Sequence, residues 1–213
     1  MNEQLERIKE AVVNGKHNDI ESLVQAALDD GEDLDQIMDE CLIGAMDVVG
    51  KNFADGSIFV PEMLIAAVTM KKGLAVLQPL LTGAGVASKG TILMCTVKGD
   101  LHDIGKNLVI MMLEGAGFLV IDGGVDLSVE KLVEKVVQVK PQVLGLSALL
   151  TTTMPEMEKV IRILEEKGLR GDVKVMVGGA PVDAVFAERI GADGYGKDAA
   201  EAVQIAKGFL ANN

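Results

Sequence analysis

Apolar residues recur at helical spacing through the first part of the chain and give way to short solid runs after about residue 90. Leu5, Ile8 and Val12 share one face of a run that Asn14-Gly15 ends. Asp19 stands where an N-cap belongs for a second helix with the face Ile20, Leu23, Val24, Ala27 and Leu28, closed by Asp30-Gly31. A third is predicted from near Asp33, through Leu34, Ile37, Met38, Cys41, Leu42, Ala45, Met46 and Val49. After the turn Ala54-Asp55-Gly56-Ser57, Pro61 and Glu62 open a fourth, carrying Met63, Leu64, Ala67, Met70, Leu74 and Leu77. Four helices with short loops predict a bundle. Thr82-Gly83-Ala84-Gly85-Val86-Ala87-Ser88 reads as a linker, which places a helical domain at 1–88 and a second domain at 89–213.

The second half alternates. Strands are predicted at 91–97, 118–122, 143–148, 173–177 and 193–195, with helices at 105–115, 128–139, 155–167, 182–190 and 198–211. Five such units predict a parallel sheet with helices on both faces. The common order for five strands is the flavodoxin-like 2-1-3-4-5, a Rossmann-like arrangement whose ligand crevice lies where strands 1 and 3 diverge.

Composition narrows the function. The chain has 213 residues, 49% of them apolar, so it can bury a substantial core. Lysine and arginine total 20 against 32 acids, a net charge of −12 that disfavours nucleic acid and anionic membranes as partners. No apolar run approaches the roughly 20 residues that span a bilayer, and the polar start Met1-Asn2-Glu3-Gln4-Leu5-Glu6 does not resemble a secretory leader. Cys41 and Cys95 lie far apart inside apolar runs, the pattern of reduced core thiols in a cytoplasmic protein. His17 sits in a polar loop and is expected to be solvated. Four methionines of the helical half (Met38, Met46, Met63, Met70) read as adaptable core fillers, able also to cover a flat apolar ligand loosely.

Candidate chemistry gathers in the loop after the first strand, Gly99-Asp100-Leu101-His102-Asp103-Ile104-Gly105. Asp100, two residues before His102, can take one ring N–H and leave the other nitrogen for a metal. Gly105 lets backbone or ligand come close at the helix start. The third strand ends in Ser147-Ala148-Leu149-Leu150-Thr151-Thr152-Thr153 and the fourth in Gly178-Gly179, which clears space for something bulky. All three clusters fall on the same edge of the predicted sheet. One histidine is too few for a closed zinc site but suits a metal already held by a macrocycle, to which the protein adds an axial ligand. A phosphate reading is poorer. GxGxxG and GxxxxGK[ST] are missing, and Asp100 and Asp103 would repel phosphates.

The set Asp100-x-His102-x-x-Gly105, Ser147-x-Leu149 and Gly178-Gly179, with 106–146 and 150–177 between, resembles the cobalamin-binding domains of the methionine synthase type. With the helical half in front, the whole chain resembles the small corrinoid proteins of anaerobic methyltransferase systems. The resemblance implies that His102 ligates cobalt from below, in place of the cofactor's own base, while Asp100 holds the far imidazole nitrogen. Thr153 stands where methionine synthase has the serine of its ligand triad, and keeps the hydroxyl. His102, Asp100 and Thr153 would thus be the residues closest to the reaction. Gly99, Leu101, Asp103, Ile104 and Gly105 would complete the cofactor loop. Ser147, Leu149 and Thr151 would contact the buried nucleotide tail, Gly178 and Gly179 would border its channel, and Tyr195 and Gly196 would join them.

The implied function is methyl carriage, cobalamin cycling between cob(I)alamin and methylcobalamin. A partner methyltransferase would load the methyl group from a methylamine, methanol, betaine or aryl methyl ether donor. A second would pass it to a folate or thiol, and a reductive activase would rescue oxidised cobalt. On this reading the chain is a carrier subunit in the cytoplasm rather than a complete catalyst. The helical half would cover the methyl face and swing aside at a hinge in Gly83–Ser88. A cobalamin-dependent sensor and a mutase cobalamin subunit are the alternatives. The first wants a basic DNA-reading module that this chain lacks, and the second generally lacks a helical cap. A receiver-like signalling domain is the reading from outside cobalamin chemistry, but it wants an aspartate where this chain has Ser147.

Overall fold

The computed structural model describes residues 3–81 and 88–211. The chain divides into two compact units, Met1–Ser88 with Gly115–Gly117 and Lys89–Glu114 with Phe118–Asn213. Of the predicted linker and its hinge, all but Ser88 lie outside the described residues.

The first unit is helical: α1 (Glu3–Val13), α2 (Ile20–Asp29), α3 (Leu34–Gln36), α4 (Gly44–Ala54) and α5 (Val60–Leu77). A π-helical segment, Ile37–Ile43, joins α3 to α4, so the third predicted helix is one rod that runs on to Ala54. Its wider turn, closed by Gly44 N–H on the Asp39 carbonyl, accompanies burial of the consecutive Cys41, Leu42 and Ile43. Asp33, near which this helix is expected to begin, caps α3, accepting Gln36 N–H at 2.9 Å. Asp19 does not cap α2 with its side chain. Its backbone is already helical (φ −98°, ψ −23°), so the carboxylate cannot reach the first turn, and its carbonyl instead accepts the Ser22 hydroxyl at 2.8 Å. His17 is half-buried rather than free in solvent, its Nδ1 lying 3.3 Å from the Gly15 carbonyl. Leu5, Ile8, Ile20, Ile37, Leu42, Met63, Met70 and Leu77 are fully buried, each contributing roughly 1.5–3 kcal/mol of apolar burial.

The second unit is the predicted α/β fold. Strands β1 (Thr91–Val97), β2 (Leu119–Leu127), β3 (Val143–Ser147), β4 (Lys174–Gly178) and β5 (Gly194–Gly196) alternate with α6 (Ile104–Gly115), α7 (Val129–Val139), α8 (Pro155–Glu166), α9 (Ala184–Arg189) and α10 (Ala199–Leu210). All four pairings are parallel, and the order is β2-β1-β3-β4-β5. Leu93, Cys95, Val97, Leu144, Leu146, Val175 and Val177 pack on one face with residues of α7, α8 and α9, while Ile92, Met94, Val143 and Met176 are buried on the other. Solid apolar runs are what a sheet covered on both faces requires. Ser128, Asp183 and Asp198 cap α7, α9 and α10 through their side chains.

β2 departs most from expectation. Predicted to end at 122, it continues to Leu127 through two register shifts against β1. Asp122-Gly123-Gly124 has turn composition, yet the bulged backbone keeps pairing, Gly124 adopting φ 100°. Cys41 and Cys95 are buried and not disulfide-bonded, and burial pushes the Cys95 thiol up to about 12. No helix among the described residues is long and apolar enough to cross a membrane.

Candidate functional site

The carboxyl ends of the strands line up in register. Thr96 on β1 pairs with Ser147 on β3, Ser147 with Gly178 on β4, and Gly178 with Gly196 on β5. One row across four strands therefore carries three of the residues singled out from the sequence. With about 4.8 Å between strands the row is on the order of 14 Å long, enough for an elongated appendage laid across it.

Just past this row the chain turns through Gly99 (φ 79°) and buries Asp100 completely. An ionised carboxylate out of water must be met by donors, and Asp100 is met on both oxygens. Oδ1 accepts the backbone N–H of His102 at 3.0 Å and its ring Nδ1–H at 2.7 Å. Oδ2 accepts Leu149 N–H at 2.7 Å, Leu150 N–H at 3.3 Å and the Thr153 hydroxyl at 2.8 Å. Burial by itself would raise its pKa. The hydrogen bonds from Leu149, the His102 amide and ring, and Thr153 outweigh that and hold the carboxyl well below the usual carboxylate range.

A permanent carboxylate on Nδ1 fixes the proton there and leaves the lone pair on Nε2. The His102 side chain is 53% exposed, and Nε2 makes no hydrogen bond among the described residues. Thr96, buried on β1, gives its hydroxyl to the His102 carbonyl at 3.1 Å. The loop thus sits on a buried polar base with a ligating atom available above it. Around the imidazole, Leu101 and Ile104 are 70% and 86% exposed, and Leu149 and Leu150 are also open. An apolar rim beside a single nitrogen ligand suits a flat macrocycle better than a hydrated ion. No cluster of three or more metal-ligating side chains occurs among the described residues.

The remaining predicted residues divide. Asp103, exposed, accepts from the Asn107 side chain at 3.1 Å at the start of α6. A Cβ on Gly105 would meet nothing within 4 Å, so that space lies open. A Cβ on Gly179 (φ 126°) would fall 1.9 Å from the Ala148 carbonyl, and one on Gly178 2.9 Å from that of Gly196. What these two glycines admit is therefore first the protein's own backbone. Ser147 is half-buried and Thr151 exposed, and neither hydroxyl is bonded among the described residues. Tyr195 packs against the apolar core beneath the sheet edge.

Sequence reasoning missed four groups. The Leu150 amide carries no side-chain signal for a partner so far back along the chain, and the Thr96 hydroxyl sits inside a solid apolar run with nothing to mark its bond to the His102 carbonyl. Lys106 is buried in α6 and pairs with Asp122 of β2; a lysine inside an apolar-periodic run was its trace. Asp126 accepts Gly99 N–H at 2.7 Å and donates its own N–H to the Asp100 carbonyl at 3.0 Å.

The B12 binding domain family matches residues 90–204, and a second family of the same description matches residues 4–78. A dimethylamine corrinoid protein of Methanosarcina acetivorans is 43% identical over 98% of both chains. A corrinoid protein of Desulfitobacterium hafniense is 41% identical over 97% of both. The methanol:cobalamin methyltransferase complex of Methanosarcina barkeri contains a chain that covers all of this one at 33% identity and a TM-score of 0.87, with 81% of that chain covered.

Proposed function

Since the chain belongs to the B12-binding corrinoid proteins, we propose that it is a methyl carrier that binds cobalamin with its nucleotide base displaced and His102 as the lower cobalt ligand. The observation that carries this is the Asp100–His102 pair, in which a buried carboxylate fixes Nδ1–H at 2.7 Å while Nε2 stays available. Bound cobalamin would supply a cobalt centre able to take a methyl group from one partner enzyme and release it to another.

The residues fit that group. Leu101, Ile104, Leu149 and Leu150 offer the apolar rim on which the underside of a corrin ring can rest. Gly105 leaves room at the helix start, and the row Thr96, Ser147, Gly178, Gly196 carries only small residues along the sheet edge against which the displaced tail would lie. Ser147 and Thr151 place uncharged hydroxyls beside it. Asp100 and Thr153 keep the imidazole in one tautomer and one orientation.

The donor-specific partner is a methyltransferase for a methylated amine or alcohol. The relatives that are dimethylamine corrinoid proteins support the first, and the methanol complex the second. A folate- or thiol-methylating enzyme would be the acceptor side, with a reductive activase beside it, all in the cytoplasm, where thiols such as the buried Cys95 stay reduced. The test is direct. Protein loaded with hydroxocobalamin shows a nitrogen-ligated absorption spectrum, and His102→Ala retains some cofactor but shows a water-ligated one and is methylated poorly. An unchanged spectrum and rate in His102→Ala would defeat the ligand assignment.

A further inference from the structure

β2 lies at one edge of the sheet with β1 as its neighbour, and its irregular end meets the histidine loop on both flanks. Upstream of His102, Asp126 accepts Gly99 N–H at 2.7 Å and donates its backbone N–H to the Asp100 carbonyl at 3.0 Å. Downstream, the buried Lys106 ammonium pairs with Asp122 Oδ1, which also accepts Gly124 N–H at 2.9 Å. Asp126 holds a left-handed backbone at φ 51°. The other non-glycine residue with positive φ among the described ones, Lys140, closes the C-terminus of α7, where that conformation is ordinary. Asp126 ends no helix. Its conformation is tolerated by aspartate but not free, and what it achieves is to aim a carboxylate and an N–H together at two consecutive loop residues.

We propose that the end of β2 is a brace for the cobalt-ligating loop, with Asp126 as its positioning residue. This rests on the reading of His102 as ligand. The Asp100 carboxylate is anchored from the β3 side by Leu149, Leu150 and Thr153, and the Asp100 backbone from the β2 side by Asp126. Because Asp100 carries the His102 ring on its Oδ1, any swing of the Gly99–Asp100 backbone displaces Nε2 by a comparable amount. Coordination tolerates little such displacement, so the brace sets what fraction of the bound cofactor is ligated by histidine rather than by water. It leaves the rim and the tail path untouched.

Three substitutions in the full chain separate acceptor from backbone. Asp126→Asn keeps an Oδ1 acceptor and tolerates the left-handed backbone; Asp126→Gly keeps the backbone freedom alone; Asp126→Ala loses both. Amide hydrogen exchange without cofactor, followed by the histidine-ligated fraction after hydroxocobalamin loading, gives two readouts. Asp126→Asn is expected to stay near wild type in both. Asp126→Gly and Asp126→Ala should speed exchange at Gly99 by about 10- to 150-fold, the range expected for one hydrogen bond to a charged acceptor. They should also lower the histidine-ligated fraction several-fold while total bound cofactor holds. Wild-type behaviour of Asp126→Gly in both readouts would overturn the brace. So would faster exchange spread equally over core strands β1 and β3, which marks a general loss of stability. If wild-type protein binds no corrinoid, the functional reading fails, whereas the exchange contrast in cofactor-free protein still decides whether Asp126 holds the loop.

Discussion

Five polar residues are buried among the described residues, and they are shared unevenly between the two units. Thr69 is in the helical unit, and its hydroxyl merely closes on the Ile65 carbonyl one turn back at 2.7 Å. Thr96, Asp100, Lys106 and Thr153 are in the α/β unit, on or beside the loop that carries His102. Both interiors are built from apolar volume, but that of the α/β unit also holds a polar network in which every buried side-chain donor is satisfied. The helical unit is accordingly a matter of packing. The sheet edge accepts the cost of burying charge, about 1–3 kcal/mol for any group left unsatisfied, because orientation of a single imidazole depends on it.

This contrast can be tested from its largest consequence downward. Leu42→Ala, in the helical core, should cost about 2–5 kcal/mol of that unit's stability by thermal or urea unfolding, yet leave the absorption spectrum of folded, cobalamin-loaded protein, and with it the proposed histidine ligation, unchanged. A lost nitrogen ligation in that variant would break the division. Asp100→Asn should act on the imidazole. It retains volume but presents an amide to donors that want a carboxylate, and a loss of roughly 10–100-fold in cofactor affinity or methylation rate is expected.

A smaller effect comes from Thr153→Val, which keeps the shape and removes the hydroxyl on Asp100; about 1 kcal/mol of stability should go, and Thr153→Ser should restore it. Finally, because the folded Asp100 carboxyl titrates below its unfolded value near 3.9, its contribution is complete above about pH 4 and drains away as pH falls further toward the folded value. Asp100→Asn removes that acid-limb slope, and Leu42→Ala does not.

The same contrast explains what could be read from the sequence. The five strands and the helices were legible because solid apolar runs and amphipathic runs differ in period, and period is local; the order 2-1-3-4-5 came only from its being the common one for five such units. Asp100 and His102 were legible as a pair because they are two residues apart. Thr153 joins them only through the resemblance, and the Leu149 and Leu150 N–H groups reach Asp100 from about fifty residues further on, where a main-chain amide looks the same at every position. β2 misled because Asp122-Gly123-Gly124 has the composition of a turn, whereas bulging let it continue. Asp19 misled because capping composition was present while the backbone was already helical.

Gly105 and Gly179 are both glycines at the sheet's ligand edge, but a methyl group added to each would report on different things. At Gly179 it would collide with the chain's own Ala148 carbonyl, so intolerance there records internal fit whatever is bound. At Gly105 it would project into emptiness. Gly105→Ala should therefore leave the cofactor-free protein as stable as before or firmer by up to about 1 kcal/mol, since alanine favours helix over glycine. Any weakening of corrinoid uptake in that variant would be the imprint of the guest alone, a steric shadow by which the edge of the ring could be traced residue by residue.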